Sequence, residues 1–184
     1  MDDPKSEFHV PKNKGRESMT YLTYLIDHYN SLPSTIAFIH SHRDGWPSAW
    51  HTDAVGHDNV VSLRNLQIRY IQDQGYANLR CIHTPGCPDE IQPFREPPDP
   101  ERNAEQAMVD AWTYVFGNAS EVPLVIGAAC CSQFAVSRAQ VLRRPVQDYI
   151  KLRDWLLQTP LSDDTSGRVA EYLWHILFGR EPVQ

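Results

Sequence analysis

Residues 166–179 read SGRVAEYLWHILFG. The apolar residues of this stretch recur at steps of three and four, which predicts one amphipathic helix with a single buried face. Those apolar residues are Val169, Tyr172, Leu173, Ile176 and Leu177. Arg168, Glu171 and His175 recur at the same steps on a neighbouring face of the predicted helix. A cation, a carboxylate and an imidazole therefore form a row that either fixes the helix against its neighbours or contributes to chemistry.

Composition indicates an ordinary globular chain. Of 184 residues, 41% are hydrophobic and 22% are charged, which is typical of one soluble domain with a substantial core. The formal net charge of −6 argues against a nucleic-acid partner, because phosphate binding needs a basic face. No apolar run approaches the roughly 18 residues of a membrane span. The start, MDDPK, lacks the pattern of a secretion signal, so we expect a cytoplasmic protein.

The distribution of polar and apolar residues predicts two segments. Residues 1–15 are polar and predict a flexible N-terminal segment, whereas residues 16–184 predict a single α/β domain. Helical periodicity covers residues 16–31, 58–74 and 101–116 and a further helix after Pro145. Short apolar runs predict strands at residues 35–41, 78–82, 123–127 and 132–136. We therefore expect a small mixed or parallel sheet of three to five short strands covered by about five or six helices.

Four cysteines occur, at positions 81, 87, 130 and 131. In a reducing compartment we expect them to be free thiols. Zinc is a poor interpretation, because the chain has no Cys-x-x-Cys pair. If Cys130 and Cys131 lie on a strand, their side chains point to opposite faces. One would then belong to the core, and the other could line a pocket or form a disulfide with Cys87.

A loop rich in histidine and tryptophan follows the predicted strand at residues 35–41. Its histidines are His40, His42, His51 and His57, and its tryptophans are Trp46 and Trp50. Ligands of open α/β sheets bind beyond the carboxyl ends of strands, and histidine can transfer protons near neutral pH. The alternative is that His40 is a buried, hydrogen-bonded core residue and the others are surface residues. A metal site built from His40, His42, His51 and Asp53 is the weaker interpretation, because nothing fixes its geometry.

Several familiar cofactor and catalytic motifs are absent. The sequence contains no phosphate-binding Gly-x-x-x-x-Gly-Lys-Ser/Thr loop, no Gly-x-Gly-x-x-Gly fingerprint and no His-Glu-x-x-His pair. It also lacks a Gly-x-Ser-x-Gly nucleophile elbow. If the protein is an enzyme, we therefore expect it to work without a cofactor or a metal.

Several separate motifs, in one order, resemble a known family. They read VPKNKGRE at 10–17, YLTYLID at 21–27, FIHSHR at 38–43, GYANLRC at 75–81, PGCP at 85–88 and CCSQFAVSR at 130–138. Together with residues 166–179 they are similar to a fungal family of uncharacterised proteins, DUF3431. The resemblance covers nearly the whole chain from Val10 onward.

The resemblance implies a fold distantly like a reduced glycosyltransferase of the nucleotide-sugar-binding A type. It also implies a place in fungal specialised metabolism, where some members of the family occur. Compared with the family pattern, the chain is expected to be shortened at both ends. The resemblance implies a strand region before the VPKNKGRE motif and a longer tail after Gly179. We expect the first to be missing here and the second to be reduced to the five residues that follow Gly179.

The first functional hypothesis is a cofactor-independent cyclase or isomerase acting on an apolar terpenoid or polyketide. A pericyclic reaction of the Diels–Alder type is one form of it. Such a catalyst needs a shaped pocket and one or two hydrogen-bond donors. The candidate catalytic residues are His40, His42, His51, Glu171 and His175. The candidate substrate-binding residues are Tyr24, Arg43, Trp46, Trp50, Gln133, Arg168 and Tyr172.

Two other classes of function stay open. A glycosyl or other group transferase would use Asp44, Asp53 or Asp58 to hold a divalent metal, with Glu171 as its base. A non-catalytic binding protein would use the same pocket without turnover. A second copy of the chain is a further candidate partner.

Overall fold

The fold contains a three-stranded antiparallel sheet, and several of the candidate residues lie next to its strands. In the computed structural model, which describes residues 3–184, its strands are β1 Thr35–Phe38, β2 Tyr76–Asn78 and β3 Phe134–Ser137. The strand order is β1-β3-β2, so β3 is central and is buried along its whole length. Phe38 and Asn78 are both register partners of Phe134.

Eight α-helices surround this sheet within the described residues. They are α1 Glu17–Asp27, α2 Asn59–Arg64, α3 Ile68–Gln74, α4 Asn103–Phe116, α5 Arg138–Val141, α6 Val146–Gln158, α7 Asp163–Glu171 and α8 Trp174–Leu177. Two short 3₁₀ turns cover Val55–His57 and Ala119–Glu121. None of the helices in residues 3–184 has the length and apolarity that crossing a membrane requires. The prediction of a flexible segment over residues 1–15 stays a prediction, although Val10 is buried against the core.

The mixed α/β class is confirmed, but the strand directions differ from the expected mixed or parallel sheet. Strands that alternate with helices are parallel when each helix crosses back over one sheet. Here α1, α4, α6 and α7 pack largely on one another and form a helical layer instead. The predicted strand at 123–127 contributes only two isolated bridges, Ile126 to Ile91 and Gly127 to Val183. This sheet therefore gives no support to a reduced glycosyltransferase-A arrangement.

The C-terminal stretch is two helices rather than one. After α7 ends at Glu171, Leu173 N–H donates to the carbonyl of Ala170 in a tight three-residue step before α8 begins. Tyr172, Trp174 and Phe178, which lie at the break and around α8, are all fully buried. The break also separates His175 from Arg168 and Glu171.

The core is centred on the ring of Phe134. Its centroid lies 5.0 Å from that of Phe38, 5.3 Å from Trp174, 5.4 Å from Phe178 and 5.5 Å from Tyr76. These distances are those of favourable aromatic packing. Through this cluster β3 holds β1, β2 and α8 together, so the residues that flank β3 occupy well-defined positions.

Candidate functional site

Glu171 ends α7 with its carboxyl group pointing at the loop before β3. One oxygen, Oε1, accepts a hydrogen bond of 2.5 Å from Cys131 N–H, and Oε2 lies 3.8 Å from Nη1 of Arg168. Only 10% of the side chain is exposed. Burial raises the pKa of this carboxyl group, while the Cys131 N–H and Arg168 offset part of the rise. Glu171 therefore keeps its proton at pH values at which an exposed glutamate has lost it.

His40 and His51 are held side by side by one buried amide. The backbone N–H of His40 donates to Gln133 Oε1 at 2.9 Å, and Gln133 Nε2 donates to the carbonyl of His51 at 3.0 Å. The two imidazole rings lie 4.2 Å apart between centroids. Glu17 Oε2, from the first turn of α1, lies 4.0 Å from His40 Nε2. The side chain of Gln133 thus fixes the distance between the two histidines.

Burial lowers the pKa of both imidazoles. The nearby Glu17 carboxylate partly offsets this lowering of the pKa at His40. At His51 the pKa falls to about 4, because the repulsion from a charged His40 lowers it further. Both histidines therefore stay neutral where an exposed imidazole would be protonated. His40 Nε2 and His51 Nδ1 are buried and have no hydrogen-bond partner among the described residues. Both nitrogen atoms thus have hydrogen-bonding capacity that the described residues do not use.

These groups form one connected set, which we call the Glu171 cluster: Glu17, His40, His51, Cys131 and Glu171. Cys131 connects its two halves, because its backbone contacts both the Glu171 carboxyl and the His40 imidazole. Within the cluster the pKa of the Glu171 carboxyl group is raised, and the pKa values of the His40 and His51 imidazoles are lowered. Titratable groups shifted in opposite directions are typical of a general acid paired with a general base.

Cys130 and Cys131 form a disulfide bond with each other, which corrects the expectation of free thiols. The segment is not a strand, because Cys131 and Ser132 have φ angles of 88° and 51°. Their side chains therefore do not alternate, and both sulfur atoms lie on one side. Cys87 is a free thiol that donates to the carbonyl of Gln184 and does not bridge to either residue.

Arg80 lies directly against this disulfide. Its Nη1 is 2.6 Å from Cys130 Sγ and 3.0 Å from Cys131 Sγ, and the residue is only 8% exposed. Its Nε lies 3.4 Å from Asp53 Oδ1, and its guanidinium covers the ring of Trp50 at 4.9 Å. Trp50 in turn packs on His51 at 4.6 Å. The candidate residue Trp50 therefore forms an outer wall of the cluster.

Three residues of the predicted loop site do not reach the cluster. Trp46 is 73% exposed and packs only loosely on His57. The Arg43 side chain is 77% exposed and pairs with Asp44 at 3.3 Å. The His42 side chain is exposed, although its charge still contributes to the lowered pKa values of His40 and His51.

His175 and Tyr24 also lie elsewhere. His175 Nε2 donates to the carbonyl of Pro182 at 2.9 Å, and burial lowers its pKa to about 4. It therefore holds the C-terminal residues against α8 rather than standing in a row with Glu171. Tyr24 lies on α1, where its ring packs on Phe38 and His28.

Tyr172 is buried next to Glu171, with the Arg168 guanidinium 5.8 Å from its ring. Its hydroxyl has no hydrogen-bond partner among the described residues. Gly86 allows this close packing: a Cβ there would lie 2.2 Å from the Ala128 carbonyl oxygen and 3.0 Å from the Tyr172 hydroxyl. Its φ of 121° is also one that favours glycine.

A charged cleft of about 480 Å³ adjoins the cluster through Arg168. Its other charged lining residues are Arg16, Arg102, Glu90, Asp99, Glu101, Glu105 and Asp164. A larger and more apolar groove of about 970 Å³ lies on a different surface, around Leu66 and Tyr70. The cavity beside Arg168 therefore favours a ligand that carries polar groups.

The metal interpretation built on His40, His42, His51 and Asp53 finds little support. The backbone N–H groups of Cys81 and Ile82 both donate to Asp53 Oδ2, so this carboxylate already holds the segment that follows β2. The one set of at least three clustered potential ligand atoms in residues 3–184 is Cys130, Cys131 and Glu171, within 4.8 Å of one another. Their sulfur atoms are bonded to each other, so they do not form an open metal site in this state.

Glu17 and Arg80 were not among the residues selected from the sequence. Glu17 occupies the first turn of a helix, where acidic residues are ordinary, and Arg80 gives no local signal. The adjacency of Cys130 and Cys131 is the sequence signal that could have drawn attention to this region.

The fold and the cluster together define a mixed α/β protein with a buried carboxyl–imidazole site. The family model described as "Protein of unknown function (DUF3431)" matches residues 1–184, and the chain belongs to that family. No curated protein and no solved structure matches the chain.

Proposed function

We propose that this protein is a cofactor-independent enzyme that cyclises or isomerises a small oxygenated metabolite. The observation that carries the proposal is the pairing of a buried carboxyl of raised pKa with neutral imidazoles in one cluster. Such a pair supplies a proton donor and a proton acceptor at the same pH, with no bound group needed.

The chemistry follows from the positions of the free atoms. Glu171 donates its proton, or a hydrogen bond, to a substrate carbonyl oxygen and so stabilises the charge that develops there. An imidazole nitrogen without a partner, His51 Nδ1 or His40 Nε2, takes a proton from the neighbouring carbon. The imidazole then delivers its proton to a different carbon, and the substrate oxygen gives its proton back to Glu171. Both side chains are restored and the substrate is isomerised. A pericyclic ring closure would need only the hydrogen bond from Glu171.

The surroundings of the cluster support an oxygenated substrate more than a hydrocarbon. Arg168 and Arg16 line the adjoining cleft, and both can bind carbonyl, hydroxyl or carboxylate oxygens. Trp50 adds an apolar aromatic ring beside His51, with the Arg80 guanidinium packed against it. A terpenoid or polyketide that carries carbonyl groups combines both features and is the substrate class that we propose.

Fewer features of the structure support a nucleotide-sugar transferase. Its three candidate metal ligands all have other partners: Asp44 pairs with Arg43, Asp53 with Arg80, and Asp58 caps α2 by accepting from Val60 N–H and Val61 N–H. The transferase stays the second candidate and predicts a different product mass.

The test is incubation of the purified full chain with a metabolite extract from the cells that make it. Substrates and products are followed by liquid chromatography and accurate mass. We expect a compound to be consumed and a new one of identical elemental formula to appear, because cyclisation and isomerisation add no atoms. A product heavier by one sugar residue, formed only with a nucleotide sugar, would establish the transferase instead. Binding of a compound without any conversion would contradict an enzymatic role.

A further inference from the structure

The buried Arg80 guanidinium has weak hydrogen-bond partners while Cys130 and Cys131 form a disulfide. Nearly the whole residue is buried, and within residues 3–184 the acceptors of its Nη1 are the two sulfur atoms of Cys130 and Cys131. Disulfide sulfur is a weak acceptor, and a buried charge with weak partners is costly. In the described part of the chain its Nε has no hydrogen-bond partner, and the Asp53 carboxylate makes a longer contact with it, at 3.4 Å.

A thiolate at either sulfur would meet this need. A negatively charged sulfur is a strong acceptor, and a neighbouring arginine lowers the pKa of a cysteine thiol. The reduced pair would therefore gain an interaction with Arg80 that the disulfide lacks. Cys131 and Ser132 also have positive φ angles, 88° and 51°, in the oxidised state. Such angles are strained for residues other than glycine.

We propose that Cys130 and Cys131 are a reversible two-electron redox centre, stabilised in its reduced form by Arg80. The co-reactant is a small thiol of the glutathione class. A thiolate of the reductant attacks one sulfur, the Cys130–Cys131 bond breaks, and a mixed disulfide forms. A second reductant thiol then attacks the mixed disulfide and leaves as the oxidised reductant. Two electrons enter the pair, one cysteine takes up a proton, and the other stays a thiolate facing Arg80.

This inference is independent of the proposed enzymatic function. Cys131 N–H is also the donor to Glu171, so the redox state of the pair bears on the same region. The free thiols Cys81 and Cys87 are not needed for the exchange. Their joint replacement by serine leaves a chain in which the pair alone reports on its redox state.

The experiment equilibrates the full chain carrying C81S and C87S with mixtures of reduced and oxidised glutathione at pH 7, without oxygen. Both sulfurs are buried, so equilibrium is approached from the reduced and from the oxidised side until the two agree. Thiols are then blocked with a maleimide in denaturant, and intact mass gives the fraction reduced. Arg80→Gln removes the cation, and Arg80→Lys retains it. Asp53→Asn removes the carboxylate that partly neutralises Arg80 and keeps an oxygen acceptor for the Cys81 and Ile82 N–H groups.

We expect the unsubstituted pair to pass from disulfide to dithiol within the range of the glutathione mixtures. Arg80→Gln should require roughly tenfold more reducing conditions, the equivalent of about one unit of thiol pKa. Arg80→Lys should shift the midpoint less, and Asp53→Asn should shift it in the opposite direction, which keeps the test valid if Arg80→Gln does not fold. A pair that stays oxidised in every mixture until the chain is denatured would overturn the proposal. Equal midpoints for all folded variants, or a pair that never oxidises, would do the same.

Discussion

Replacing Glu171 with glutamine should lower the conversion rate by about 10²- to 10⁴-fold, the usual contribution of a positioned general acid. Glutamine keeps the shape of the side chain and retains an oxygen that can accept from Cys131 N–H. It cannot give up a proton, so only the chemical role is removed. The rate of isomer formation from the substrate identified by mass is the measurement.

Glu121→Gln is the matched control for this substitution. Glu121 lies on the exposed turn Ala119–Glu121, where its carboxylate accepts from Asn118 Nδ2, so the Glu121→Gln variant should be as active as the unsubstituted chain. Circular dichroism of both variants checks that the fold is kept. A folded Glu171→Gln variant with full activity would remove Glu171 from the mechanism.

Replacing Phe134 with alanine should destabilise the chain by about 3–5 kcal/mol, the usual cost of deleting a buried phenylalanine ring. The ring is 1% exposed and contacts side chains from both other strands and from α8, so its loss leaves a cavity where these elements meet. The free energy of unfolding is measured by urea denaturation with the same slope for both chains.

Phe94→Ala is the control for the core prediction. Phe94 is 50% exposed in the proline-rich connection before α4, and its removal should change the free energy of unfolding by less than about 0.5 kcal/mol. If Phe134→Ala and Phe94→Ala cost the same, the aromatic cluster around β3 does not hold the sheet and helices together as described.

Local signals in the sequence predicted several elements closely. The helix predicted after Pro145 begins at Val146. The predicted helix over residues 101–116 is observed as Asn103–Phe116. These features depend on capping groups and apolar spacing within a few residues, which a single sequence displays directly.

Features that depend on tertiary packing were not predicted. The break after Glu171 lies where Tyr172 and Trp174 are both fully buried in the core, and the strand directions depend on where the helices pack. Periodicity alone does not contain either kind of information. The residues 58–74, predicted as one helix, are likewise divided into α2 and α3.

The candidate site was predicted in part. His40, His51, Gln133 and Glu171 were selected from the sequence and lie together in the structure, since Gln133 links the two histidines. The histidine loop was less well predicted at its tip, where the polar and aromatic composition of residues 42–46 reflects exposure to solvent. Arg80 contacts Cys130 from a position fifty residues away in sequence, so no local pattern could place it there.

The pKa of the Glu171 carboxyl group tests the central claim most directly. It can be measured by carbon-13 nuclear magnetic resonance of the chain labelled at glutamate side chains, with the Glu171→Gln variant assigning the resonance. Burial predicts that the Glu171 carboxyl group titrates at a higher pH than an exposed glutamate ordinarily does. A Glu171 carboxyl group that titrates at or below the pH of the exposed glutamates would contradict the account, because the site would then contain no proton donor of the kind proposed.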